Sequence, residues 1–330
     1  MKQILLRLTS HEFLNREEAR DILTRITNSE FSNSEVAAFL TVYMMRTISV
    51  EELSGFRDAL LDLCLITDLS DFNTIDLCGT GGDGKHTFNI STLASFIAAG
   101  AGEKVAKHGN YGVSSNCGSS NVMEYYGYKF TNNRDSLLNQ LEKAGICFLH
   151  APLFHPAMKT VAPIRRELGV KTFFNMLGPM VNPSFPKNQL TGVFSLETAR
   201  LYNYIYQRTD KNYTIVYSLD GYDEISLTSE FKLISNREEQ LLSPENIGFS
   251  ELTPDDILGG NTVAESAGIF MEILKGNGTP AMNSVVTVNA AMALRCIYNE
   301  RTVEECIGIA NESLISGKAM KAFKNLLESE

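Results

Sequence analysis

The sequence has no surplus of positive charge. Its 29 Lys and Arg face 39 Asp and Glu, a net charge of −10 over 330 residues. Nothing in the chain as a whole attracts a polyanion, and basic residues matter only where they gather in a pocket. No nucleic-acid partner is expected. The chain also lacks an apolar run long enough to cross a bilayer, and the opening MKQILLRLTS reaches Arg7 after only a few apolar residues, unlike a secretory leader. No membrane association is expected either. The six cysteines, at 64, 78, 117, 147, 296 and 306, form no C-x-x-C pair and no metal-binding spacing, and several fall within apolar patterns. They read as buried thiols of a reducing compartment, so the expected location is cytoplasmic. Repeats and low-complexity segments are missing too. What remains, 44% hydrophobic and 21% charged residues, is the composition of an ordinary globular protein with room for one large or two ordinary domains.

Three capping-box signatures mark the first stretch: Asn15 with Glu18, Ser32 with Glu35 and Ser49 with Glu52. Each predicts a helix start. Behind the second, Val36, Phe39, Leu40, Tyr43 and Met44 share one helical face, which Val42 and Met45 widen, and internal packing is the expected use of such a stripe. The polar linker TDLSDFN (67–73) places a domain boundary near Ser70. Beyond it, strand patterns at 146–149, 190–195 and 213–218 alternate with helical ones at 198–208 and 285–297. This predicts a small N-terminal helical domain, 1–70, and a large α/β domain, 71–330, with a mainly parallel central sheet.

The α/β part opens with two loops of one design. In DLCGTGGDGKHTFNIST (76–92), Ile75 and Leu77 read as a strand, glycines at 79, 81, 82 and 84 let the backbone approach a ligand, and a helix begins near Ser91. In KHGNYGVSSNCGSSNVME (107–124), a strand near 104–106 ends in Lys107 and His108, followed by Asn110, by Ser114, Ser115, Ser119 and Ser120, and by a helix after Gly118. Both loops aim backbone N–H groups and a helix N-terminus at an anion. The first is formally G-x-G-x-x-G, a weak signal alone. A dinucleotide site wants an acidic residue at the end of the second strand, where this chain has Lys107 and His108. Asp83 within a phosphate loop suits a sugar hydroxyl or a metal ion. Two such loops side by side fit a metal-bound sugar phosphate with two phosphate groups.

Three further constellations could carry chemistry. Arg165 and Arg166 are adjacent after Pro163, on a helix start, and point in different directions, so one can fork a carboxylate while the other meets solvent. Asp223 and Glu224 follow a strand and an Asp220-Gly221 turn, where successive carboxylates can hold hard cations or can simply be solvated. His108 and His155 read as shape and hydrogen-bonding residues rather than bases.

GTGGD, NIST (89–92), KHGN with its serines, HPAMK (155–159), APIRRELG (162–169), NMLGPMVNP (175–183) and DGYDE (220–224) together resemble the anthranilate phosphoribosyltransferase family over nearly the whole chain. The resemblance implies a fold of the nucleoside phosphorylase/phosphoribosyltransferase type, with a segment near 165–186 returning to the helical domain as a hinge wall. It implies a homodimer formed through that domain, and the partners anthranilate and 5-phosphoribosyl 1-diphosphate. For the diphosphate donor it points to Gly79, Gly82, Asp83, Thr87, Asn89, Ile90, Ser91, Thr92, Lys107, His108, Gly109, Asn110, Ser114, Ser115 and Ser119. For anthranilate it points to Gly79, His108, Asn110, His155 and Arg165. Ser91, Asp223 and Glu224 are implied as ligands of magnesium, two ions per subunit, with no residue acting as nucleophile or base. The chain departs from the family's common pattern at Tyr111, where an arginine is usual, at Ser120-Asn121 and at Phe154. The first departure removes a cation near the phosphates. A pyrimidine nucleoside phosphorylase shares the implied architecture, but it would bind free phosphate and would not need the Arg165 motif.

Overall fold

The computed structural model describes residues 1–112 and 117–329. In chain order, α1 (Lys2–Thr9), α2 (Arg16–Thr27), α3 (Asn33–Met45) and α4 (Val50–Asp62) come first. Next are β1 (Thr74–Leu77), α5 (Ile90–Gly100), β2 (Lys104–Gly109), α6 (Ser119–Tyr125), α7 (Arg134–Ala144) and β3 (Ile146–His150). After the short α8 (Ala151–Phe154) and α9 (Met158–Leu168) run β4 (Asn188–Gly192), α10 (Leu196–Tyr206), β5 (Asn212–Ser218), β6 (Phe231–Ser235) and β7 (Glu239–Leu242). The chain closes with α11 (Val263–Leu274), α12 (Pro280–Ile297), α13 (Val303–Ile315) and α14 (Lys318–Leu327). These elements form two compact units, Met1–Ile66 with Ala151–Pro183, and Thr67–His150 with Ser184–Glu330.

The first unit is helical. All three predicted capping boxes are present in both directions, side chain to backbone and back. Each satisfies two of the amide groups that a helix start leaves without partners. Glu52 does more than cap. Its carboxylate also accepts from Leu14 N and Tyr43 Oη, both at 3.0 Å, and pairs with the Arg46 guanidinium in the interior. A buried carboxylate is tolerable only with this many donors. Val36, Phe39, Leu40 and Tyr43 are buried as the stripe on α3 predicts, but Met44 and Met45 are exposed, because α3 ends there and Arg46 turns inward instead. The returning segment begins at Ala151 and ends at Pro183, earlier at both ends than the expected 165–186. The reason is packing. α9 lies against α2 and α3, and Phe173 stacks on Phe56 at 4.3 Å within a cluster that includes Phe39 and Tyr43.

The second unit is built on a seven-stranded sheet in the order β3-β2-β1-β4-β5-β6-β7. The first five strands are parallel, with Ile75 opposite Val105 and Asn188. β6 and β7 add antiparallel strands at one edge, an extension the sequence reading does not contain. α5 is mostly apolar and nearly all buried because it packs against β1 and β2 and against α12 and α14. Leu93, Phe96 and Ile97 are fully buried on it, each worth about 1.5–3 kcal/mol of transfer free energy. Chain order runs outward from β1 to β2 and β3 on one side and from β4 to β5 on the other. The carboxyl ends of β1 and β4 therefore form the switch point at which open α/β sheets bind ligands.

Candidate active site

The glycine loop leaves the sheet at this switch point. Beyond β1, Cys78 N donates to Leu190 O at 3.1 Å and Thr80 N to Gly192 O at 2.9 Å, so the loop starts as a continuation of the β1–β4 ladder. Gly81, Gly82 and Gly84 then take φ of 61°, 75° and 76°, which a side chain resists. Gly79 is needed for a different reason: a Cβ there would lie 2.4 Å from Asp223 Oδ2. Gly192 ends β4, and a Cβ on it would lie 1.5 Å from the Asp223 carbonyl oxygen. Asp223 is thus seated between two glycines at the ends of the two switch-point strands. Sequence reading found Gly79 but missed Gly192, which carries no sequence signal beyond being the last residue of a strand.

Asp223 Oδ2 accepts from Gly81 N at 2.6 Å, and Glu224 Oε1 accepts from Ser91 N, in the first turn of α5, at 3.0 Å. The acidic turn that presents them is well tied. Asp220 accepts from Thr228 Oγ1 and Ser229 Oγ at 2.5 and 2.9 Å, and buried Asn289 brackets Ile225, its Oδ1 accepting from Ile225 N and its Nδ2 donating to Ile225 O. Burial first, then repulsion by Asp83, pushes the Asp223 carboxyl up to about 7. Burial, then Asp223, then Asp83 hold Glu224 well above the usual range, against the Ser91 N–H and Lys107. Three carboxylates that repel one another, offering only hard oxygens, fit a divalent cation. Among the described residues no group of three His, Cys, Asp or Glu side chains forms a ready metal cage. An ion here would complete its shell with water and phosphate oxygens, the usual habit of magnesium beside a diphosphate.

The second loop lies one strand away. Lys107 is buried and its Nζ donates to Leu77 O at 2.6 Å. Burial lowers its pKa, against Cys78, Asp76 and Glu224, which raise it. His108 N donates to the buried Asp76 Oδ1 at 3.0 Å. Asn110 O accepts from Ser119 Oγ and Ser120 N, both at 3.2 Å, and Gly109 makes room, since a Cβ there would meet Ser119 Oγ at 2.6 Å. Asn89 Nδ2 donates to Cys117 O at 2.9 Å and ties the two loops together. Tyr111 directs its hydroxyl to Glu124 Oε1 at 2.6 Å, and its ring meets the His150 ring in a T-shaped contact at 4.9 Å. Ser114 and Ser115 lie outside the described residues. Thr87 forms a bridge with Leu258, while Ile90 and Thr92 are buried in the start of α5.

Arg165 and His155 belong to the helical unit. α9 starts at Met158, with Pro163 inside it. Arg165 and Arg166 therefore occupy its last turn and not a helix start, because the residues after Pro156 already continue as helix ahead of Pro163. Two cations there suit the negative end of the helix. The Arg165 guanidinium is largely buried, which lowers its pKa. It lies over the Phe174 ring at 5.2 Å, and Nη2 donates to Asn175 Oδ1 at 3.4 Å. It meets no carboxylate among the described residues, whereas Arg166 is exposed. His155 is buried. Lys85, Tyr222 and Asp76 are features that sequence reasoning passed over. Lys85 was legible as a cation within the glycine loop, while the other two depend on tertiary contacts.

Comparison with known proteins agrees with this architecture. Residues 2–64 match the helical bundle domain of a glycosyl transferase family and residues 71–320 its a/b domain. The anthranilate phosphoribosyltransferase of Flavobacterium psychrophilum is 61% identical over 99% of this chain and 98% of its own length. That of Christiangramia forsetii is 60% identical over the same shares. The crystal structure of anthranilate phosphoribosyltransferase from Thermus thermophilus matches with a TM-score of 0.91 and 30% identity over 98% of each chain. The enzyme from Saccharomyces cerevisiae in complex with PRPP and Mg matches with a TM-score of 0.90 and 27% identity, over 100% of this chain and 98% of that one. The chain belongs to the anthranilate phosphoribosyltransferase family.

Proposed function

We propose that this protein transfers the phosphoribosyl group of 5-phosphoribosyl 1-diphosphate to the amine of anthranilate, giving N-(5-phosphoribosyl)anthranilate and diphosphate, a step of tryptophan biosynthesis. The observation that carries the reading is the meeting of the glycine loop, Lys107 and the Asp223-Glu224 turn at the switch point of the sheet. The arylamine is unprotonated at neutral pH, so the nucleophile needs little activation, and the main barrier is breaking the anomeric C–O bond. The amine nitrogen bonds to the anomeric carbon, the C–O electron pair leaves with the diphosphate, and the nitrogen loses one proton to solvent. The protein's part is electrostatic: N–H groups of the glycine loop and of α5 stabilise the leaving oxygens, and Lys107 adds a positive charge at the strand end. No side chain acts as nucleophile or base.

Magnesium, when bound, supplies positive charge to the departing diphosphate. Ser91, Asp223 and Glu224 would hold it, with Asp83 adjacent, and we assign two ions per subunit. Gly79, Gly82, Asp83, Thr87, Asn89 to Thr92, Lys107 to Asn110 and the serines of the second loop bind the donor. For anthranilate we assign Arg165 as the residue that forks the carboxylate, and Gly79, His108, Asn110 and His155 as further binding residues. The protein works as a cytoplasmic homodimer formed through its helical unit, a reading supported by exposed Leu6, Met44, Met45 and Ile66 on that unit and by six free cysteines.

The test follows loss of anthranilate fluorescence on adding the phosphoribosyl donor and magnesium, with stoichiometric release of diphosphate. Failure to consume anthranilate, with phosphorolysis of thymidine or uridine in its place, would refute the reading.

A further inference from the structure

We propose that Lys85 is a further substrate-binding residue, a cation that the glycine loop holds ready for the diphosphate group of the donor. The proposal rests on the phosphoribosyl transfer argued above and adds a residue that the family motifs do not point to.

The backbone around Lys85 is fixed on both sides. Its own N–H donates to Asp83 Oδ1 at 3.0 Å. On the other side, His86 O accepts from Gly259 N at 2.8 Å, and Thr87 forms an antiparallel bridge with Leu258. This strap requires glycine, since a Cβ at Gly259 would lie 2.6 Å from Thr87 O. A side chain on backbone held in this way is delivered to a defined place, which limits the ordering cost of binding.

The side chain itself is uncommitted. Lys85 Nζ lies 4.5 Å from the centroid of the Tyr222 ring, and Tyr222 directly precedes Asp223. Lys85 is partly exposed and makes no ion pair among the described residues, although Asp83 is two residues away on its own loop. Lys107, by contrast, is buried with its ammonium already bonded to Leu77 O. Asp83, Asp223 and Glu224 make the neighbourhood acidic, so a diphosphate entering it needs every available cation. An ammonium has three donors, and a ring face uses none of them fully, so Lys85 can trade a weak partner for an anionic oxygen.

Lys85→Met keeps the length of the stem and removes the charge, while Lys85→Arg keeps the charge. Binding of 5-phosphoribosyl 1-diphosphate with magnesium, without anthranilate, is measured by calorimetry at low and at high ionic strength, alongside steady-state rates. Lys85→Met should weaken donor binding about tenfold at low salt and less at high salt, where screening already shortens the reach of the charge. Lys85→Arg should stay within about threefold of the parent in donor binding, and both variants should keep the parent's KM for anthranilate, whose binding does not involve this charge. Parent-like donor binding by Lys85→Met at both salt concentrations, or a loss confined to kcat, overturns the assignment. A parent protein that neither binds the donor nor consumes anthranilate overturns the transfer reaction itself, and this assignment with it.

Discussion

Replacing Gly79 with alanine separates two ways in which a glycine loop can need glycine. Gly79 does not have a positive φ, so the substitution leaves the backbone angles allowed. Its Cβ would nonetheless fall 2.4 Å from Asp223 Oδ2 and 3.1 Å from Cγ. Ordinary contact begins near 3.4 Å, so the carboxylate must retreat by about 1 Å. The bond from Gly81 N, now 2.6 Å, then stretches to the edge of hydrogen-bonding range. A hydrogen bond to a charged group contributes about 1.5–3 kcal/mol, so the affinity of the site for metal-bound donor should fall about 10- to 150-fold. Gly81→Ala is the control. Nothing lies within 4 Å of its Cβ, but its φ of +61° costs about 1–2 kcal/mol for a residue with a side chain, and that cost appears in folding stability. The assay is the rate of anthranilate fluorescence loss against donor and magnesium concentration, with thermal unfolding in parallel. Gly79→Ala should lower Tm as well, because the lost bond belongs to the unliganded fold, and should in addition raise the donor KM and the half-saturating magnesium concentration. Gly81→Ala should lower Tm with the smaller effect on KM. A Gly79→Ala variant with the parent's donor KM and magnesium dependence would refute the idea that the seat of Asp223 against this loop is what the substrate uses.

Other perturbations address the remaining groups. Arg165→Ala should cost about 2–5 kcal/mol, seen mainly in the KM for anthranilate, whereas exposed Arg166→Ala should cost much less; equal effects would remove Arg165 from the site. Asp223→Asn combined with Glu224→Gln should raise the magnesium concentration needed for half-maximal rate while the chain stays folded; an unchanged requirement would place the metal elsewhere. The Asp223 carboxyl, raised from 3.8 to about 7, binds a proton in the folded chain that the unfolded chain has released, so this group's contribution to stability falls as pH rises across that window. Asp223→Asn cannot ionise and should therefore raise Tm more at about pH 8 than at about pH 5. A Tm difference from the parent that does not vary with pH would show that Asp223 does not titrate in this range.

What could be read in the sequence follows from how local each determinant is. The three capping boxes are written in four residues each and appear as predicted. The strands from β1 to β5 and the apolar α5 likewise announce themselves through short-range pattern. Arg165 shows where local reasoning goes astray: Pro163 suggests a helix start, but the helix had already begun at Met158. The seat of Asp223 shows where local reasoning ends. Glycine and aspartate are ordinary residues in a turn, and only the ladder that places Gly192 beside Thr80, together with the return of the chain after β5, shows that a Cβ at position 192 would strike the Asp223 backbone. The same holds for Tyr222 under Lys85 and for Gly259 against Thr87. In each case one partner lies in the glycine loop or at a strand end, and the other comes from a segment remote in sequence. Motif reading finds the residues that face a ligand because their chemistry is unusual for a loop. It does not find the small residues that let two loops approach, because their contribution is the absence of atoms at a contact that exists only in the folded chain.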